Sequence, residues 1–244
     1  MQRAKNRDQS AMPRIPTARS YHPILKSDVS PETPGQARVK PVLHELRVRD
    51  PDWSLSYGYL VVEVTRSSFP EACRYLRDTP WLDNDLVPLV FSHYPLTAVD
   101  VQLLPKRVPW LRAMPEVHAQ LHALRTALAM PLEERGLICV DFADFVAALA
   151  NGGESQLSQV SAPTASLACD ALFCHEALQE WLSAAKMAIC LHIRAGLEFT
   201  MSEFDIVGRR LESFVAEEAL VIISAGVWEG DGVELTLLAV SRRR

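Results

Sequence analysis

Beyond residue 50 the chain alternates between short, continuous apolar runs and longer stretches whose apolar residues recur every three or four positions. The first pattern marks strands and the second marks helices with one buried face. Tyr57 to Thr65 (YGYLVVEVT) is rich in β-branched and aromatic residues and predicts a strand. Phe69 to Arg77 predicts a short helix, with Ser68 as N-cap and Pro70 in the first turn. Leu86 to Tyr94 predicts a second strand, which Pro88 would confine to a sheet edge or to the strand's beginning. The prolines between Pro95 and Pro109 leave that stretch without an element. Pro115 to Met130 predicts a helix whose apolar face holds Leu121, Leu124, Leu128 and either Met114 or Val117.

The pattern sharpens from Gly136. Asp141 opens a helix with Phe142, Phe145, Val146 and Leu149 at i, i+3, i+4 and i+7, and Asn151-Gly152-Gly153 closes it. The small polar residues of 152–170 predict a loop, and Cys169 to Ser183 a second helix. Met187 to Arg194 predicts a strand with Ile189, Leu191 and Ile193 on one face. Thr200 and Glu203 have capping-box spacing, and the helix they open buries Phe204, Val207, Leu211, Phe214 and Val215. Leu220 to Ser224 is a continuous apolar strand. Glu229-Gly230-Asp231-Gly232 signals a tight turn, after which Val233 to Val240 returns as its antiparallel partner. The class is α/β (α+β), a layered unit of helices on a mixed sheet.

Composition adds the N-terminus to this picture. Residues 1–45 are broken by Pro13, Pro16, Pro23, Pro31, Pro34 and Pro41, which predicts a disordered extension, with order starting near Trp53. Residues 1–50 hold ten Lys/Arg and five Asp/Glu, a balance of +5, so the remainder carries −10 of the chain's net −5. The expected organisation is a basic Pro-rich tail over 1–50, a small α/β segment over 51–110, and a larger unit over 111–244. Scattered cations read as a solvated linker, and basic residues interleaved with aromatics are absent, so no nucleic-acid partner is expected. No apolar run approaches the roughly 18 residues of a membrane span, and no apolar signal region opens the chain. Five cysteines without paired short spacings argue against a disulfide framework and for reduced thiols in the cytoplasm.

Candidate chemistry is sparse. His118 and His122 lie at i, i+4 on one helix face, but no HExxH or CxxC accompanies them, so exposed histidines are the plainer reading than a metal pair. Cys174 and His175 are adjacent, and helical neighbours point about 100° apart, which works against a thiol–imidazole pair. Cys190 sits within a strand as a small core residue. No cofactor and no metal are expected.

Four blocks, in order, are similar to the FtsZ/tubulin family. Gly136-Leu137-Ile138-Cys139-Val140-Asp141-Phe142-Ala143-Asp144 resembles the family's GLxNVDFAD loop, with Cys139 in place of Asn. His192-Ile193-Arg194-Ala195-Gly196 resembles its NITAG strand end, Glu203-Phe204 to Val207-Gly208 its EF-x-x-VG helix, and Leu220 to Val240 its last two strands. The resemblance implies a C-terminal FtsZ/tubulin-like domain, preceded by the end of the central helix at Pro115–Met130. In that family the loop inserts two acids against a nucleotide held by the next subunit. Asp141 and Asp144 are thus the trans-acting candidates, within an interface of Gly136, Leu137, Cys139, Asp141, Phe142 and Asp144 and flanked by the helix from Ser202 to Ala216. The family's GGGTGTG-like phosphate loop has no counterpart, since Gly35 and Gly58 are the only glycines before Gly136, and its C-terminal peptide is replaced by Arg242-Arg243-Arg244. Residues 53–110 are compatible with a shrunken remnant of the nucleotide domain. The implied function is binding or capping of FtsZ-type filaments, with GTP hydrolysis stimulated in trans and no self-contained enzyme. The alternatives are an interaction module or diverged remnant that uses the fold for an unrelated partner, in which the two acids merely cap a helix, and, ranked last, an enzyme using Cys174 or His118/His122.

Overall fold

The structure is a computed structural model and describes residues 39–49, 56–79, 86–113, 117–134, 136–138, 140–184 and 187–243. The tail up to residue 38, and Trp53, Met114, Pro115, Cys139 and Arg244, lie outside the described residues.

The first half is built on β2 (Ser56–Val64), α1 (Phe69–Asp78), β3 (Leu86–Ser92), α2 (Ala98–Leu103) and β4 (Trp110–Arg112). β2, β3 and β4 run parallel, so α1 and α2 are the crossovers that parallel pairing requires. A further strand, β1 (Val42–Arg49), pairs antiparallel with β2 along its whole length, inside the stretch expected to belong to the tail. Its alternation is short but real: Val48 is fully buried and Leu46 packs on the core, while Glu45 and Arg47 face solvent. Two local expectations change. Ser68 is helical (φ −89°, ψ −13°) and caps nothing, because its hydroxyl accepts from the Thr65 N–H at 2.9 Å. β3 is an interior strand despite Pro88, because β4 pairs only from Val90 onward. Val90 donates to Pro109 across that side, so Pro88, of the same parity, faces it where β4 has not yet begun. The unassigned proline stretch holds α2, opened by a Thr97–Asp100 capping box.

The second half comprises α3 (Val117–Leu128), α4 (Met130–Glu133), β5 (Gly136–Ile138), α5 (Phe142–Leu149), β6 (Gly152–Ala162), α6 (Ala165–Leu172), α7 (Glu176–Leu182), β7 (Met187–Ala195), α8 (Met201–Glu212), β8 (Leu220–Val227) and β9 (Val233–Arg242). One nine-stranded sheet joins both halves in the order β1-β2-β3-β4-β6-β9-β7-β8-β5. The mixed α/β class is as expected, but three expectations are corrected. The polar stretch from residue 152 is not a loop up to α6. It is β6, paired antiparallel with β9 and half-buried over most of its length. The single helix over Cys169–Ser183 is two helices that break at Phe173–His175. β9 does not return beside β8. It lies between β6 and β7, while β8 runs parallel to β7 and carries β5 on its outer edge. Eight successive residues of β9, Val233 to Val240, are buried, and a strand this apolar on both faces belongs at the centre of a sheet rather than in a hairpin at its rim.

The core binds the halves together. Tyr59, Phe91 and Leu111 pack in one cluster with Leu124, Leu128, Phe145, Leu149, Cys190 and Leu238, and the Tyr59 hydroxyl donates to the Leu128 carbonyl at 3.1 Å. Each such side chain contributes about 1.5–3 kcal/mol on full burial. The opposite face of β7 and β9 packs on α6 and α8 through Ile189, Leu191, Ile193, Leu235, Val207 and Leu211.

Candidate interaction site at the acidic loop

The segment that carries Asp141 and Asp144 is held at both ends. Ahead of it, β5 adds to the edge of β8, with Gly136 opposite Gly226 and Ile138 opposite Ala225. Behind it, α5 begins. Asp141 is the N-cap: its Oδ1 accepts from the Asp144 N–H at 2.9 Å, and Asp144 Oδ2 accepts from the Asp141 N–H at 3.2 Å. This reciprocal box satisfies two backbone donors, and both carboxylates sit where the helix dipole favours negative charge. Each acid is exposed and keeps one oxygen that takes no hydrogen bond from the described residues.

The other residues of the expected interface divide. Leu137 is 51% exposed. Gly136 is half-buried against β8, and Cys139 lies outside the described residues. Phe142 turns inward, its ring 4.4 Å from that of Tyr57 and 5.6 Å from that of Tyr59, so it anchors the loop to β2. With residues 39–49, 56–79 and 86–110 in place, Asp141 and Asp144 remain uncovered.

A buried polar network lies just ahead of the loop. The Arg194 guanidinium bridges Glu134 (3.3 Å) and Glu234 (3.1 Å) and stacks 4.8 Å from the centre of Trp228. His192 Nδ1 is 2.9 Å from Ser224 Oγ, and its Nε2 lies 3.7 Å from Glu134 Oε2. Among the described residues the buried side-chain polar atoms without a hydrogen bond are Glu134 Oε2, His192 Nε2, Arg194 Nε and Trp228 Nε1, all in this cluster. Gly226 makes room for it: a Cβ there would stand 2.8 Å from Glu134 Oε2. Glu134 closes α4 two residues before β5, so the network ties the approach to the acidic loop onto β7 and β9. Sequence reading missed it. The available signal was His192 and Arg194 on β7, and Glu234 and Thr236 on β9, each pair at period two within otherwise apolar strands.

The remaining candidates stay apart. His118 and His122 are both exposed on α3, and no group of three metal-ligating side chains forms among the described residues. Cys174 donates to the Ala171 carbonyl at 3.2 Å, and His175 caps α7 with its backbone. Burial pushes the Cys190 thiol up to about 12 and the Cys169 thiol up to about 11, which keeps both protonated and inert.

These elements define an FtsZ/tubulin-like fold over about three quarters of the chain. Among solved structures, Bacillus thuringiensis serovar israelensis TubZ, in GDP-form protofilaments, matches with a TM-score of 0.51 at 7% identity, covering 75% of this chain and 61% of that one. A TubZ of type III plasmid segregation matches with a TM-score of 0.52 at 6% identity, covering 74% of this chain and 63% of that one. In sequence, the chain is 27% identical over 146 residues to the cell division protein FtsZ of Haemophilus influenzae, covering 57% of this chain and 35% of that protein. The chain thus spans between about a third and two thirds of these relatives' lengths. No family model matches it. Among the described residues no helix is long and apolar enough to cross a membrane.

Proposed function

We propose that this chain binds the exposed nucleotide face of an FtsZ-type filament subunit through its Gly136–Asp144 loop, without a GTP site of its own. The pair Asp141 and Asp144 carries the reading: both are exposed at the start of α5, and each holds one oxygen in the capping box and one that takes no hydrogen bond among the described residues. Phosphoryl transfer to water depends on positioning and charge. Two carboxylates offered from a fixed helix end can orient a water against a neighbour's nucleotide. Among the described residues, the surroundings of Gly58 and the turn after β2 support the reading of a chain without a GTP site of its own. Gly58 lies under the Leu46 carbonyl, where a Cβ would come within 2.4 Å. The turn after β2, Thr65-Arg66-Ser67-Ser68, has no glycine and is filled by its own hydroxyls, Thr65 Oγ1 lying 3.0 Å from Ser67 Oγ. Head-to-tail contacts propagate only when both faces are present. A chain with the acidic face alone terminates the filament it joins, and it acts in division or segregation as a regulator rather than as a GTPase.

The test mixes the purified full chain with an FtsZ and GTP, following pelleted polymer and phosphate release. The expected result is shorter polymer and altered turnover. No change in either at several-fold excess over FtsZ would overturn the proposal. The capping box supplies a second reading, in which the acids serve α5 alone and the fold meets another partner. In that case removing their charge leaves any FtsZ effect intact.

A further inference from the structure

Two concavities of opposite charge lie on different parts of the molecule. The first is a groove of about 1350 Å³ between α2 and α5. One wall is the outer face of α5, where Ala143, Ala147 and Ala150 are exposed at i, i+4 and i+7. Its rim carries Lys106, Arg107, Arg242 and Arg243, and among the described residues no carboxylate lines it. Arg243 is spent on the Leu104, Pro105 and Val101 carbonyls. Lys106, Arg107 and Arg242 are exposed and form no ion pair among the described residues.

The second is a recess of about 330 Å³ at the C-terminal ends of β7 and β8, beside the start of α8. It is lined by Glu198, Glu203, Glu229 and Asp231 and, among the described residues, by no cation. Glu203 closes the capping box with Thr200. Glu198, Glu229 and Asp231 are exposed and form no ion pair among the described residues. Beside them stand Leu197 and Met201, 88% and 66% exposed.

We propose that the groove receives the acidic, apolar tip of a second copy of this chain, Leu197 and Met201 entering between α2 and α5 while Glu198, Glu229 and Asp231 meet Lys106, Arg107 and Arg242. Three observations point to this occupant. The free charges match in number and are opposite in sign. Leu197 is the most exposed of the large hydrophobic side chains among the described residues, and alanines line the wall it would meet, which lets a neighbour approach closely. The chain's own N-terminal stretch has the wrong sign for the groove, since residues 1–38 hold seven Lys/Arg against three Asp/Glu. Groove and tip are different surfaces, so the contact is heterologous and leads to a ring or an open chain of copies rather than a closed two-fold dimer. It uses neither Asp141 nor Asp144, but Phe142 and Ala143 of the groove belong to the Gly136–Asp144 segment, so the test is made on the chain alone, where no FtsZ partner bears on the result.

Sedimentation velocity on the full chain alone tests it. Association is expected to rise with protein concentration and to weaken as salt screens the charges. Arg107→Glu with Arg242→Glu, and separately Leu197→Ser with Glu198→Lys, are each expected to weaken association at least roughly tenfold. Circular dichroism confirms that these surface variants fold. Mixed in equal amounts, the two variants retain one intact groove and one intact tip, and are expected to form dimers and nothing larger. A chain that stays monomeric at low salt and the highest soluble concentration overturns the proposal. So does association that both variants leave unchanged, or that mixing fails to restore, as an acidic partner protein or an anionic membrane in the groove would give.

Discussion

At Asp141 the cap and the charge can be separated. Asp141→Asn keeps an oxygen for the Asp144 N–H but loses the negative charge, whereas Asp141→Ala loses both. Stability should fall by less than about 0.5 kcal/mol in the first and by about 1 kcal/mol in the second. Stimulation of FtsZ turnover should vanish in both. Urea midpoints paired with phosphate release check this, and an Asn variant that still stimulates would assign the acid to capping alone. Arg194 is the opposite kind of residue, important for what it leaves behind. Arg194→Met leaves the buried Glu234 and the half-buried Glu134 without their shared cation and should cost about 2–3 kcal/mol, below the range for a fully buried pair because water reaches Glu134. A thermal midpoint unchanged by this substitution would show that Arg194 does not hold the two carboxylates. The motif around Asp141 was legible because it is local: cap, first turn and apolar stripe sit within nine residues. The network behind it was not, because Glu134, Arg194 and Glu234 meet only after three distant elements have paired.

Among the elements, the first strands are joined by one side chain. Glu63 on β2 accepts from His44 on β1 (2.8 Å) and from His93 just past β3 (2.5 Å). Burial works to raise the Glu63 pKa, but the hydrogen bonds and charges of the two histidines outweigh it, and the net shift is downward from 4.5. A depressed carboxylate stabilises the fold above its unfolded pKa and loses that contribution as pH falls through its folded value. The stability gap between the native chain and Glu63→Gln should therefore be full near neutrality and close below about pH 4.5. Urea midpoints across that range would show it, and a gap independent of pH would remove Glu63 from the acid response. Element types were read well where burial is one-sided and poorly where it is not. β6 passed for a loop because Gly152-Gly153-Glu154-Ser155-Gln156 carries no apolar alternation, yet its backbone pairs with β9 for most of its length. β9 was recognised as a strand but misplaced, since apolarity on both faces says that a strand is central without naming its neighbours.

For the whole molecule, the sheet narrows at β4, where only Trp110 and Leu111 pair with Glu154 and Ser155. The main core cluster nevertheless runs beneath this joint and draws side chains from both halves. Heating should therefore give one cooperative transition with equal calorimetric and van't Hoff enthalpies. Two resolved transitions would mean that the halves unfold apart. The same continuity reaches the acidic loop through Phe142. Tyr57 and Tyr59 share one face of β2, and a strand slipped by a single position presents its other face. Such an error would leave every residue from Gly136 to Asp144 unaltered and still pull away the aromatic seat beneath them. The fidelity with which β1 and β2 find their alignment is thus itself a determinant of where two carboxylates end up, nearly ninety positions further along the chain.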